Sequence, residues 1–349
     1  MSECYDLHNQ YEPGLEGKRQ RPVKRRKGFK LLCLPGLARN EVIRSMDINE
    51  MIDKNSSSFQ NCVSIFKHLQ NIFWFKSHCF FVNLVDMTEK LFKEVLTEPA
   101  FKEFEILSLD GGEIDQECLD LVMETTNINS DLHIYETLFP VNYYHENAFK
   151  FDYTTYYFAE WVRIEYLFTL KDRYSLRLRY HNLTDSDLNT YIKFWIENDH
   201  DMVYLLALHM RPFEPEILFD GIVVLVGQRN GFTYHLVACN PTKQRKKQIM
   251  GVRWSKDITH LYSWNKDETL EFEGNVYTGS WEPEYKLLMI LNRKKELEEQ
   301  LKNIQNLLKT NQDQNMVKKE NDLSRDLHNI SMELDSYNLV FRDGVYSHM

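Results

Sequence analysis

The sequence has 349 residues, a length suited to about two domains, and its 43% hydrophobic and 27% charged residues are the proportions of a soluble globular chain. The N-terminus has no apolar signal core, and the most apolar run, residues 72–85, is too short for a bilayer span and is broken by Lys76 and His78, so neither export nor a membrane partner is expected. A net charge of −10 argues against nucleic acid as a partner, and six scattered cysteines with no C-x-x-C pair argue for reduced, mostly buried thiols in the cytoplasm or nucleus.

Residues 1–28 are polar, lack periodicity and carry Pro13, Gly14 and Pro22, which predicts a disordered arm. Lys18, Arg19, Arg21, Lys24, Arg25, Arg26, Lys27 and Lys30 make it basic with no acid between them. It is either a nuclear-localisation patch or a solvated arm, and the rest of the chain is more acidic than the total suggests. Residues 29–70 then read as a compact three-helix unit. Phe29, Leu31, Leu32 and Leu34 run into Pro35, and Val42, Ile43 and Met46 share one face of a short helix. A second short helix fits residues 47–52, and Phe59, Cys62, Val63, Phe66 and Leu69 mark the apolar stripe of a third.

Residues 100–280 alternate strand-like and helix-like segments. A strand is predicted at 104–109, a turn at Gly111-Gly112, a helix face at Ile114, Cys118, Leu121 and Val122, and a strand at 132–138. The next cycle is clearer: strand 175–180, a turn at His181-Asn182, a helix from Thr184 striped by Leu188, Tyr191, Ile192, Trp195 and Ile196, and strand 203–209. Short-turned strand–helix–strand cycles imply βαβ units with a mostly parallel sheet, arranged as a leucine-rich-repeat-like array. Short strands at 223–226, 232–239, 249–254, 260–264 and 270–272 then predict an antiparallel meander. Leu287, Ile290, Lys294, Leu297, Leu301, Ile304 and Leu308 step by three and four, so 285–310 is one long helix, either a short coiled coil or a helix packed on its own domain. The polar residues 311–349 read as a flexible tail, and the whole as a mixed α+β/α/β chain.

Phosphate-cradling loops, dinucleotide fingerprints, zinc-protease motifs and nucleophile elbows are absent from the sequence, so no enzyme activity, metal or cofactor is expected. Asp185 and Asp187 make a tempting carboxylate pair, but Thr184 followed by Asp187 fits a capping box, with the acid near the positive end of a helix. Asp199-His200-Asp201 stands where a polar connector is needed. Tyr143-Tyr144 and Tyr156-Tyr157 have no basic neighbours in sequence and read as core and rim, not as base-stacking platforms.

Two stretches carry more. Phe29-Lys30-Leu31-Leu32-Cys33-Leu34-Pro35, continued by Val42-Ile43-Arg44-Ser45-Met46-Asp47, resembles the F-box of nematode F-box proteins. Leu183-Thr184-Asp185-Ser186-Asp187-Leu188-Asn189, continued by Tyr191-Ile192-Lys193-Phe194-Trp195-Ile196, is similar to the signature of the F-box-associated domain of the same families. Met210-Arg211-Pro212-Phe213, Ile217-Leu218-Phe219-Asp220-Gly221-Ile222 and Leu291-Asn292-Arg293-Lys294-Lys295-Glu296-Leu297 resemble the later stretches of that domain, in the same order. The resemblance implies a substrate receptor of an SCF-type cullin ubiquitin ligase. Leu34, Pro35, Val42, Ile43 and Met46 would lie near a Skp-type adaptor or in the F-box core, and the later domain would hold a target protein.

Overall fold

The computed structural model describes residues 57–72, 79–85, 87–99, 104–140, 142–209, 213–229, 231–255, 257–268, 271–272, 275–276, 280–309 and 314–348. They fall into two units, one within Lys18–Pro140 and one from Val141 to Met349. The expected arm at 1–28 and the first two helices of the N-terminal unit lie outside the described residues.

The first unit begins with α1 (Ser58–Ile72), on the stripe predicted for a third helix. Ser57 and Gln60 cap it reciprocally: Gln60 N donates to Ser57 Oγ at 3.2 Å, and Ser57 N donates to Gln60 Oε1 at 3.0 Å. Val63 is buried on its inner face, while Cys62 is exposed. Next come β1 (Cys79–Asn83), α2 (Glu89–Thr97), β2 (Ile106–Asp110), α3 (Gln116–Thr125) and β3 (Asp131–Tyr135). The strands pair in chain order and in parallel, Cys79 opposite Ile106 and Ile106 opposite Asp131. Three consecutive residues are buried in β2 and again in β3, the mark of strands covered on both faces.

Local chemistry starts both crossover helices. Thr88 Oγ1 accepts from Leu91 N at 3.3 Å, and Asp115 Oδ1 accepts from Cys118 N at 2.7 Å, each satisfying an orphan donor of a first turn. Gly111 and Gly112 leave β2 with φ of 71° and 68°. A Cβ on Gly112 would meet the Leu84 backbone at 3.0 Å, so both the positive φ and the close approach call for glycine.

The second unit opens with β4 (Tyr153–Tyr156), α4 (Ile164–Leu167), β5 (Arg173–Leu178), α5 (Asp185–Glu197), β6 (Val203–His209) and α6 (Pro215–Leu218). β4, β5 and β6 are again parallel neighbours in chain order; β5 and β6 are the strands the cycle predicts, and β4 precedes them without having been expected. The expected meander comes next as β7 (Leu225–Arg229), β8 (Phe232–Ala238), β9 (Ile249–Ser255) and β10 (Ile258–Trp264), antiparallel throughout, and β10 lies against β6. The strand expected at 270–272 stands apart from that meander: β11 (Glu271–Phe272) pairs with β12 (Asn275–Val276) in a separate two-stranded ribbon ahead of α7 (Glu282–Leu308).

The segment expected to be a flexible tail is a correction. Residues 314–335 form α8 (Gln314–Asp335), followed by the hairpin β13 (Leu339–Arg342) and β14 (Val345–His348), and β14 pairs in parallel with β7. Polar composition concealed α8 because it buries few side chains, Leu323 and Leu334 among them. The choice left open for the long helix is decided by two contacts. Leu287, Leu288 and Leu291 of α7 join Leu205, Tyr234 and Trp264 of the sheet in one core, and Leu297 and Ile304 pack with Leu323 of α8. α7 therefore packs on its own domain and forms an αα-hairpin with α8.

The sheet of this unit has two distinct faces, because successive side chains of a strand point in opposite directions. Phe219, just beyond α6, stacks on His235 at 5.4 Å, which puts the α5–α6 layer on the face shared by His235 and its partner Val252. The opposite face carries Leu205, Tyr234 and Tyr262 and is covered by α7.

Candidate functional site

The sequence candidates resolve first. Leu34, Pro35, Val42, Ile43 and Met46 lie outside the described residues. The stretch from Leu183 to Ile196 is a structural latch. Thr184 Oγ1 accepts from Asp187 N at 3.2 Å while Asp187 Oδ2 accepts from Thr184 N at 2.8 Å, the capping box the sequence predicts. Asp185 Oδ2 accepts from Glu214 N at 3.0 Å, and Asn189 Nδ2 donates to the carbonyls of Leu218 and Asp220, both at 2.9 Å. Asp187 thus caps α5, while Asp185 and Asn189 fasten α5 to the α6 segment.

Asp199-His200-Asp201 is likewise a tethered connector. Asp199 pairs with Lys243 at 2.9 Å, Asp201 Oδ1 accepts from Lys247 N at 2.9 Å, and a His200 ring nitrogen lies 3.3 Å from the Leu170 carbonyl. In the first unit Glu89, Asp115 and Cys118 bring three potential ligand atoms together. Asp115 already caps α3, however, and Lys93 bridges Glu89 at 2.6 Å and Glu117 at 2.9 Å. Burial, reinforced by Asp115, pushes the Cys118 thiol up to about 12, so it stays protonated and binds a cation poorly. Of the other cysteines described, Cys239 is buried but Cys79 is exposed, like Cys62, so the expectation of mostly buried thiols holds for only part of the set.

A different constellation emerges at the carboxyl ends of β5 and β6. Strand register places Arg177 of β5 opposite Ala207 of β6, Ala207 opposite His260 of β10, and His260 opposite Arg253 of β9. Two residues further along the strands, on the same face, are Arg179 and His209. This row continues the face that α7 covers at Leu205 and Tyr262, and here Ala207 is buried, Arg177, His209, Arg253 and His260 are half-buried and Arg179 is exposed. In an open parallel sheet, the carboxyl ends of the strands are where ligands collect.

Aromatic rings position these cations. The Arg179 guanidinium lies 4.5 Å from the Tyr157 ring centre and 5.1 Å from that of Tyr180, and Tyr157 and Tyr180 are themselves 5.2 Å apart. Tyr180 holds φ of 42°, a left-handed conformation that costs on the order of 1 kcal/mol for a bulky residue, and its side chain is 48% exposed. Arg253 sits 3.7 Å from the Phe232 ring centre. Flat guanidinium groups stack readily on rings while presenting their donor edges to an anion.

The electrostatics are those of crowded positive charge. Burial comes first in pushing His260 down to about 4, and Arg253, Arg177 and His209 add to it. Burial also lowers His209, helped by Arg179 and Arg177 and opposed by Asp257, and burial with His209 takes His181 down to about 4. At neutral pH the histidines are therefore uncharged, and the arginines carry the positive potential. The arrangement offers forked, positive donors across four adjacent strands.

Sequence reasoning missed this site. Tyr157 reads as rim for want of a basic neighbour in sequence, yet Arg179 reaches it from the adjacent strand. The available signal is the Arg177-x-Arg179 alternation in a strand whose other face is Leu176 and Leu178, since same-side arginines beside a fully apolar side mark a solvated, charged sheet face. No family model matches the chain, and neither the curated proteins nor the solved structures contain a significant match.

Proposed function

We propose that this chain is the target-binding subunit of an SCF-type cullin ubiquitin ligase. Its F-box, residues 29–70, would dock a Skp-type adaptor through Leu34, Pro35, Val42, Ile43 and Met46, and residues 100–280 would bind the target protein. The observation that carries the reading is a run of parallel strands in each unit, joined in chain order by helices, with an open face of arginines and rings in the second. We read these runs as leucine-rich-repeat-like: the strands start at Cys79, Ile106 and Asp131 in the first unit, and at Tyr153, Arg173 and Val203 in the second. Such an array buries one face under its helices; in the second unit α7 covers part of the strand face, and the arginine row beyond that cover is the part left to a partner. The F-box resemblance supplies the ligase half of the proposal, and ubiquitin transfer would belong to other subunits.

Affinity purification of the full chain from cytosol and nuclei tests it, with an established F-box protein as the positive control. Adaptor and cullin should co-elute, and Leu34→Asp should abolish both, because a charge at a docked apolar position must be desolvated without a partner, at several kcal/mol. Absence of the adaptor from the wild-type eluate would refute the ligase role. The alternative would then be a ligase-independent interaction scaffold, which the open sheet face equally supports.

A further inference from the structure

We propose that the row Arg177, His260 and Arg253, with Arg179 at its rim, seats an extended acidic segment of a partner protein, one that presents aspartate or glutamate at alternate positions. The inference rests on the reading of this sheet face as the target surface and gives that target a chemistry.

Spacing selects the ligand. Paired strands lie about 4.8 Å apart, so Arg177 and Arg253, three strands apart, are separated by about 14 Å at the backbone. That distance is too great for one phosphoryl group to bridge without both side chains leaning inward. An extended peptide repeats its same-face side chains every ~6.7 Å, so residues i and i+4 stand about 13 Å apart and meet the two arginines while i+2 falls between Ala207 and His260. Arg179 is two residues, again about 7 Å, further along β5 and can take a further carboxylate. Guanidinium forks match carboxylates bidentately, and the ring contacts at Arg179 and Arg253 hold two of them in place before the ligand arrives.

Charge balance disfavours a nucleic acid at the same place. The chain carries −10 overall, which repels a long polyanion, whereas a short acidic segment needs only the local field.

The test is fluorescence anisotropy on the full chain with a short labelled peptide of alternating glutamate and threonine. A glutamine–threonine peptide, a peptide bearing a single phosphoserine and a short single-stranded RNA are the comparisons. The glutamate peptide should bind at least about tenfold more tightly than the glutamine peptide and weaken as salt rises. Arg179→Gln and Arg253→Gln should each weaken it by about tenfold, and Lys90→Gln, an exposed lysine of the other unit, should leave it unchanged. Thermal unfolding monitors folding of each variant, and if Arg253→Gln does not fold, the exposed Arg179 decides. Equal binding of the glutamate and glutamine peptides, undiminished binding by Arg179→Gln, or tighter binding of the phosphopeptide or the RNA would overturn the proposal. Glutamate-peptide binding without adaptor co-elution would preserve this inference while refuting the ligase role. Adaptor co-elution with no preference for the glutamate peptide would do the reverse.

Discussion

Replacing Trp195 by alanine tests the link between the α5 signature and the integrity of the second unit. Trp195 is fully buried, its ring centre lies 3.8 Å from the Arg245 guanidinium, and its carbonyl accepts from Arg245 Nη1 at 2.6 Å. Truncating a buried aromatic costs about 3–5 kcal/mol, and losing a desolvated cation–π contact adds up to about 2. Among the described residues, Tyr191 Oη, Arg245 Nε and Arg245 Nη2 are buried without hydrogen-bond partners, so the vacated space has polar walls that water can bridge. That relief favours the lower end, about 3 kcal/mol. With a urea slope of roughly 2–3 kcal/mol/M, the midpoint should fall by about 1 M, and the carbonyl contact of Arg245 should survive because it belongs to the backbone. Urea unfolding followed by far-ultraviolet circular dichroism gives the number. A loss below about 0.5 kcal/mol, typical of surface substitutions, would refute the burial argument, and loss of partner binding at unchanged stability would make Trp195 an interface residue.

Two further predictions concern stability. His235 is buried, stacked on Phe219 at 5.4 Å, and held down at about 4 by burial, with a backbone hydrogen bond at Val252 working the other way. Its unfolded value is near 6.5, so the unfolded chain binds the extra proton: the contribution is intact above about pH 6.5 and fades as pH falls toward 4, by roughly 3 kcal/mol in all. His235→Gln should flatten the stability–pH slope across that window, and identical slopes for variant and wild type would count against it. Leu297, fully buried between α7 and α8, should cost about 2–5 kcal/mol as alanine and expose the helical hairpin to limited proteolysis. The sedimentation coefficient should stay that of the wild type, because the leucine faces a helix of its own chain. A dissociating oligomer would instead place it at a subunit interface.

The features legible in the sequence are those whose cause is local. The cap at Thr184 and Asp187 is readable because both halves of its hydrogen-bonded pair lie within one turn. The meander from β7 to β10 is readable because each strand pairs with its sequence neighbour. β1 escapes such a reading since Phe81 is 71% exposed and Val85, just beyond the strand, 64%, so apolar residues there do not report the buried side. The pairing of β14 is hidden for another reason: its partner β7 stands more than a hundred residues earlier, and a short hairpin around Asp343-Gly344, although local in cause, does not announce a distant edge. The cationic row fails on register. Arg177, His260 and Arg253 become neighbours only when β10 inserts between β6 and β9, a decision made by tertiary pairing.

That row also runs against what folding alone would choose. Arg177 is half-buried, and burial lowers its pKa, the direction expected when a cation is removed from water. One strand over, the equivalent position is Ala207, and one row along, the same face carries Leu205 and Tyr262 in the core beneath α7. An apolar residue in place of Arg177 would extend that core and avoid the desolvation, as replacing buried ionic groups by hydrophobic ones often does. Burial first, and the neighbouring arginines second, keep His209 and His260 neutral, with Asp257 working the other way at His209. A carboxylate bound among these cations would be stabilised by several of them at once. Clustered charge of one sign on a half-buried sheet face is thus an argument for binding, in the same way that strained pKa values mark functional sites. It favours placing the proposed partner on this face and not on the hydrogen-bonded polar latch of α5.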